Sequence, residues 1–336
     1  MIPQNIKEIL RKQHYELVGE HSAVQICRWT KKSLRDEGAC YKEKFYGIKS
    51  HLCCQMTPTV VWCPNKCIHC WRAIELTLGE KLNGKTNSPK EIIDGCICAQ
   101  RKLLMGFKKL PAKKGKKILS KANMKKWKEA QEPTQFAISL SGEPFIYEEI
   151  GGLIEEIRKR KKTSFLVTNG LYPEKIEELE KENQLPTQLY VSVNTPNKKL
   201  YEKFHRSSKK DAWEKLNKTL GILPRLKNKT RTVFRMNLIK NLNMNDEYIK
   251  EYAELIKKSN PRFIEIKGFM SIGFARKRLG YERMPWHEDI VEFAKKLVAE
   301  LNKMKINMKI LDEHYFSRAV VIGENKKDLK IKKCEI

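Results

Sequence analysis

Residues 60–72 constrain this chain more than any other stretch. They read Val-Val-Trp-Cys-Pro-Asn-Lys-Cys-Ile-His-Cys-Trp-Arg and set Cys63, Cys67 and Cys70 at C-x3-C-x2-C spacing. A β-like run, 57–62, precedes the loop, and a helix-like run, 71–79, follows it. Three thiols on a strand-to-helix loop offer three thiolates to one iron–sulfur cluster. Three ligands on a four-iron cluster leave one iron open, and catalysis needs an open metal position. The competing reading is a zinc site completed by His69 or a distant residue. Zinc knuckles pair two close-set cysteine pairs, however, and no matching pair follows downstream.

A chain of 336 residues fits one or two domains with a sizeable core. No stretch approaches the roughly 18 apolar residues of a membrane helix. The N-terminus lacks the pattern of a signal peptide, so a cytoplasmic location away from membranes is expected. Ten cysteines in such a setting point to metal or redox chemistry rather than disulfides. The formal charge is +28, from 68 basic against 40 acidic residues. A lysine-rich proteome habit raises both signs together; this imbalance favours an anionic partner, most simply nucleic acid.

Residues 1–56 read as an N-terminal cysteine-bearing segment packed on a larger unit, 57–336. Cys27, Cys40 and Cys53 are evenly spaced within it. They are either ligands of a second cluster or core thiols. Lys42, Lys44 and Lys49 lie among them; a lysine near a positive cluster has a lowered pKa and can form an imine with a carbonyl substrate, although a surface role is the plainer reading. Residues 80–134 look like a basic insertion, with a helix over 89–105 capped by Ser88. Ten lysines follow between Lys108 and Lys128 with no acid among them, interleaved with Phe107 and Trp127. Such a run suits phosphate contact.

From 135 onward strand and helix alternate: strands over 135–140, 164–170, 188–194, 231–239, 262–268 and 307–311, the last paired with 319–322. This predicts a parallel sheet or barrel. Polar residues gather at the strand ends: Glu143 in a Gly-Glu-Pro turn, Thr168 and Asn169, Ser192 and Asn194, and Arg235 with Asn237 on one strand face. Gly268 to Gly273 follows the sixth strand. His205-Arg206 begins a basic turn. Trp286, His287, Arg276, Lys277, Arg278 and Tyr281, with Tyr315, Phe316 and Arg318, mix aromatic and basic character, as unpaired RNA bases require; a solvated loop is the alternative.

The cysteine loop with an aromatic beside its last cysteine resembles the radical S-adenosylmethionine superfamily. That resemblance implies a partial or complete TIM-like (β/α) barrel with a basic insertion. It implies a [4Fe–4S] cluster on Cys63, Cys67 and Cys70, whose free iron chelates S-adenosylmethionine and splits it to a 5′-deoxyadenosyl radical. It assigns Glu143 to the methionine amino group, with Ser141-Gly142 in place of two glycines, and Thr168, Asn169, Ser192, Asn194, Arg235 and Asn237 to cofactor binding. Cys27, Cys40 and Cys53, then Met56-Thr-Pro, 62–71, Ser141-Gly-Glu-Pro, Ser192-Val-Asn-Thr-Pro and Lys267-Gly-Phe closely resemble the archaeal tRNA 4-demethylwyosine synthase family. This implies condensation of N1-methylguanosine, beside the anticodon of tRNA(Phe), with a two-carbon unit of pyruvate. The radical would take hydrogen from the N-methyl group. It further implies a second [4Fe–4S] cluster on Cys27, Cys40 and Cys53, and an imine lysine, with Lys42 favoured. An external electron donor and a monomer are also expected. The alternatives are a radical RNA methyltransferase using Cys96 or Cys98 and a zinc protein that binds RNA.

Overall fold

The computed structural model describes residues 2–108 and 121–336. Lys109, Lys113, Lys114, Lys116 and Lys117 of the lysine run lie outside the described residues. One sheet contains β1 (Glu16–Val18), β2 (Ser22–Gln25), β3 (Cys53–Thr57), β4 (Gln135–Ile138), β5 (Thr163–Thr168), β6 (Gln188–Ser192), β7 (Arg231–Leu238), β8 (Phe263–Gly268), β9 (Lys309–His314) and β10 (Ala319–Gly323). Its order is β1-β2-β3-β4-β5-β6-β7-β8-β10-β9. Strands β3 to β8 are parallel, and each end carries an antiparallel pair. The linear order is that of a partial (β/α) barrel. The helices are α1 (Gln4–Lys12), α2 (Arg28–Leu34), α3 (Tyr41–Tyr46), α4 (Pro89–Leu104), α5 (Met124–Glu129), α6 (Ile150–Lys159), α7 (Pro173–Lys181), α8 (Lys198–His205), α9 (Ala212–Leu226), α10 (Ile249–Ser259), α11 (Ala275–Leu279) and α12 (His287–Lys303). Among the described residues no helix is long and apolar enough to cross a membrane.

The period-two pattern sorts each parallel strand into two buried faces, which explains the nearly continuous apolar runs. Phe136, Leu166, Val191, Phe234 and Ile264 pack outward with Leu153, Leu216, Ile256 and Leu297 of the helices. Phe165, Tyr190, Val233 and Phe263 point inward, where α3 inserts Tyr41, Phe45 and Tyr46. The two tyrosine hydroxyls donate to the buried Glu265, Tyr46 at 2.6 Å and Tyr41 at 3.1 Å. At the opposite end of the interior Arg231, 1 % exposed, donates to Gln188 Oε1, the Leu329 carbonyl and Glu335.

Several expectations change. The first parallel strand is Cys53–Thr57, not 57–62, so the expected boundary at 56 falls within it. Pro58 has no N–H for a ladder. The backbone beyond it serves side connections: Val60 N donates to the His21 carbonyl, and the Trp62 carbonyl accepts from Glu143 N. The expected helix over 71–79 is reduced to one 3-10 turn, Ile74–Leu76. Flanking backbone pairs elsewhere: Leu78 N with the Val61 carbonyl, Cys63 N with Gly79, Phe274 N with Trp71. The helix expected near 89–105 is present with its Ser88–Glu91 capping box. It is the crossover between β3 and β4, burying Ile92, Ile93 and Cys96 in the main core, so the 80–134 stretch contributes to the barrel itself. Strands β1 and β2 carry no strong sequence signal because they are only three and four residues long.

Replacing Tyr46 by Phe removes one of the two hydroxyls on Glu265 and leaves a buried carboxylate oxygen short of a donor. The expected loss is about 1–3 kcal/mol of unfolding free energy in a urea titration.

Candidate active site

The cysteine loop is tied down from several sides before any ligand is considered. Lys66 N and Ile68 N donate to the carbonyls of His205 and Phe204, and Ser208 N to that of Pro64. Arg278 reaches in from α11 and donates to the carbonyls of Ile68, Cys70 and Arg72. Arg72 is itself buried, with Nε 3.2 Å from Cys70 Sγ. Burial opposes its charge, but the adjacent Cys70 and Cys63 sulfurs hold it above its usual range. His205 Nδ1 lies 3.1 Å from Cys67 Sγ. Burial, with His69 alongside, pushes His205 well down, so the imidazole is neutral. Burial also raises Cys63 to about 11, against the pull of Arg72, and raises Cys67 well above its usual value.

Two residues expected to meet RNA are therefore internal. His205 is 3 % exposed, and Arg278 spends its donors on the loop. His69, the proposed fourth zinc ligand, is half-buried against Phe204, with ring centroids 4.8 Å apart; loss of hydration, with Arg235 and Arg278, lowers it to about 3. Among the described residues no three His, Cys, Asp or Glu side chains close on a single ion. A four-iron cluster puts a different iron behind each thiolate, so its ligands stand further apart than those of one ion.

Cys63, Cys67 and Cys70 open on a cavity of about 390 Å³ whose wall includes Glu143, Thr168, Asn169, Ser192, Asn194, Arg235 and Asn237. All the strand-end candidates thus meet in one place. Glu143 is 1 % exposed and accepts from Thr168 Oγ1 at 2.8 Å, Asn169 N at 2.7 Å and Phe145 N at 3.3 Å. Burial raises it to about 7, against those three donors. Gly142 lets the turn approach: its φ is +73°, and a Cβ would lie 1.7 Å from the Thr59 carbonyl oxygen, a position only glycine tolerates. Asn194 Oδ1 accepts from Asn237 N at 3.0 Å, joining the ends of β6 and β7. Asn243 reinforces the joint by donating to the carbonyls of Asn194 and Asn237. It lies five residues past the end of β7, where nothing in the sequence marks it.

The N-terminal cysteines also converge. Cys27 caps α2, its sulfur accepting from Thr30 N at 3.3 Å; Cys40 caps α3; Cys53 opens β3. Burial, with Cys27 beside it, pushes Cys40 up to about 12, and burial with Cys27 and Cys40 raises Cys53 well above its usual range. Of the three candidate lysines, Lys42 turns inward, with Nζ 4.9 Å and 5.0 Å from the ring centres of Phe165 and Tyr190. Lys44 is exposed and paired with Asp312 at 3.0 Å, and Lys49 is exposed. Cys54 faces the outer core with Cys96; Cys98 and Cys334 are at the surface. Neither Cys96 nor Cys98 lines the cavity, which removes the methyl-accepting cysteine of the methyltransferase reading.

A C-x3-C-x2-C loop beyond the first parallel strand, facing a polar cavity at the strand ends of a partial barrel, defines the radical S-adenosylmethionine class. Residues 57–256 match the model of the "Radical SAM superfamily", and residues 258–324 that of "Wyosine base formation". More particularly, the chain belongs to the S-adenosyl-L-methionine-dependent tRNA 4-demethylwyosine synthase family. Relatives so named include one from Pyrococcus horikoshii, 46% identical over 321 residues, covering 96% of this chain and 89% of the relative. One from Methanocaldococcus jannaschii is 36% identical over 332 residues, covering 97% and 98%. The solved structure "TYW1 with a lysine-pyruvate adduct bound" matches with a TM-score of 0.82 at 35% identity over 99% of both chains.

The raised Glu143 sets a pH dependence. The fold holds this proton more tightly than the unfolded chain, whose group titrates near 4.5, so without ligand the residue costs stability as pH rises from about 4.5 to about 7. The stability difference between wild type and Glu143→Gln, from denaturant melts across that range, should move against wild type as pH increases.

Proposed function

We propose that this enzyme converts N1-methylguanosine beside the anticodon of tRNA(Phe) to the tricyclic 4-demethylwyosine, using a two-carbon unit of pyruvate. The observation that carries this reading is the arrangement of two cysteine groups about one barrel interior, with Lys42 beside the second group and the strand-end cavity against the first.

The chemistry of the donors fits the groups the family requires. Cys63, Cys67 and Cys70 would hold a [4Fe–4S] cluster, with Arg72 and His205 directed at two of the sulfurs. Bound there with S-adenosylmethionine, it supplies a 5′-deoxyadenosyl radical. Glu143 would take the methionine ammonium; the incoming cation favours its ionised form, and Thr168 and the Asn169 N–H fix its direction. Asn169, Ser192, Asn194, Arg235 and Asn237 would receive the ribose and carboxylate. Cys27, Cys40 and Cys53 would hold a second [4Fe–4S] cluster, which would offer pyruvate a binding site. The Lys42 amine would add to the ketone carbon of pyruvate, expel water and hold the acid as an imine. Electrons would come from an external donor.

The tRNA would dock at the cavity mouth. Trp286, Tyr315 and Phe316 are 59%, 59% and 74% exposed, and the Arg318 guanidinium lies 4.6 Å from the Trp286 ring centre. Aromatic faces beside guanidinium groups suit unstacked bases. Part of the expected footprint already has partners within the protein. Trp127 Nε1 donates to the Leu104 carbonyl, His287 is 6 % exposed, and Lys126 pairs with Asp36 at 2.7 Å.

Two measurements check the proposal. Anaerobically loaded wild type should contain about eight irons per chain, falling to about four in a Cys27/Cys40/Cys53→Ala triple variant; the variant should also lose the tricyclic product from N1-methylguanosine tRNA and pyruvate. Equal iron in the two would sink the second cluster. Phe316→Ala and Trp286→Ala should each weaken tRNA binding by about 1–3 kcal/mol in a fluorescence titration.

A further inference from the structure

Three basic side chains, Lys42, Arg235 and Lys267, turn toward the interior between the two cysteine groups. Lys267 lies on the inward face of β8, lines the strand-end cavity beside Arg235, and places Nζ 4.5 Å from the centre of the Tyr41 ring. Tyr41 sits between Cys40 and Lys42 on α3, so this side chain bridges the cavity and the second cysteine group. Lys42, Arg235 and Lys267 are near enough to influence one another. The carboxylate that acts on Lys267 is Glu265, and its two oxygens accept from the hydroxyls of Tyr41 and Tyr46. Among the described residues Lys42, Arg235 and Lys267 have no hydrogen-bonded or ion-paired side-chain partner, and the two lysines lie over aromatic faces. Arg235 and Lys267, two cations on one cavity wall with no carboxylate paired to either among the described residues, suit an incoming anion.

We infer that Lys267 anchors the carboxylate of a small 2-oxo acid, holding it so that the ketone carbon faces the amine of Lys42. The inference rests on the imine reading above and adds the group that orients the substrate before the covalent step. An ammonium on one side and an amine on the other match the two functional groups of such an acid. Tyr41 and the helix it begins fix their relative placement. Burial, with Arg235 alongside, pushes Lys267 down to about 8; a bound carboxylate offsets the repulsion from Arg235 and favours the ammonium form. Since the anchor supplies charge and a hydrogen bond but forms no covalent bond, arginine can replace it and methionine cannot.

The test traps the imine. Anaerobically loaded wild type, Lys267→Met, Lys267→Gln and Lys267→Arg are treated with borohydride over a series of labelled pyruvate concentrations, and the labelled peptide is mapped. The label is expected on Lys42 throughout. Half-saturating pyruvate should rise about tenfold or more in the Met and Gln variants and stay within about threefold of wild type in the Arg variant. Iron content and melting temperature check the fold, and the Gln variant serves if the Met variant loses iron. Unchanged half-saturation in both neutral variants overturns the anchor and leaves the imine standing. Label on Lys267 itself also overturns it, by making this lysine the imine former. A wild-type enzyme that makes the tricyclic base with no trapped lysine overturns the imine reading and the anchor together.

Discussion

Two tyrosine hydroxyls meeting one buried carboxylate hold the working parts of this molecule in place. Glu265 on β8 receives Tyr41 and Tyr46, the two ends of α3, and so fixes that helix inside the curve of the sheet. Helix α3 is only six residues long, too short to persist on its own. Its aromatic packing and these two bonds hold it, and Cys40 and Lys42 take their positions from it. A buried acid costs stability unless its oxygens are satisfied; here the satisfied acid specifies where the helix sits.

The two cysteine loops are built on different principles. The 63–70 loop is fixed through its backbone, by carbonyls and amides shared with the 204–208 segment and with Arg278. The N-terminal group is fixed through element starts, since Cys27 and Cys40 precede helices and Cys53 opens a strand. In each group burial lifts two thiols above their usual range, Cys63 and Cys67 in the loop and Cys40 and Cys53 in the N-terminal group. Such thiols give up protons only to something that replaces the lost hydration, which a metal centre does.

The sequence revealed most of what is periodic or local. Alternating strands and helices gave the barrel, the Ser88 cap gave the start of α4, and polar residues at strand ends gave the cavity wall. What escaped depends on contacts distant in sequence. His205 and Arg278 read as surface cations because nothing local shows that each bonds a loop more than 100 residues away. Asn243 and Lys267 look ordinary until β6, β7 and β8 stand side by side. Spacing alone did not separate Lys42 from Lys44 and Lys49; the family resemblance favoured it, and the direction of α3 turns it inward. The 71–79 run had helical composition, but its backbone groups were claimed by partners outside it.

The reach of Arg278 has a consequence for how such a protein can change over time. The segment matching the wyosine-forming family begins at residue 258, just past the end of the general superfamily match at 256. That border is no seam in the molecule. Beyond it, β8 pairs with β7, Gly273 takes a left-handed φ of +55° where a Cβ would lie 2.3 Å from the Trp71 carbonyl oxygen, and Arg278 grips the loop that carries Cys63, Cys67 and Cys70. The specialised portion is therefore a brace for the shared portion. Moving it onto another barrel of the superfamily would require carrying the grip along, and drift in the cysteine loop is limited by a partner that lies in the other half of the chain.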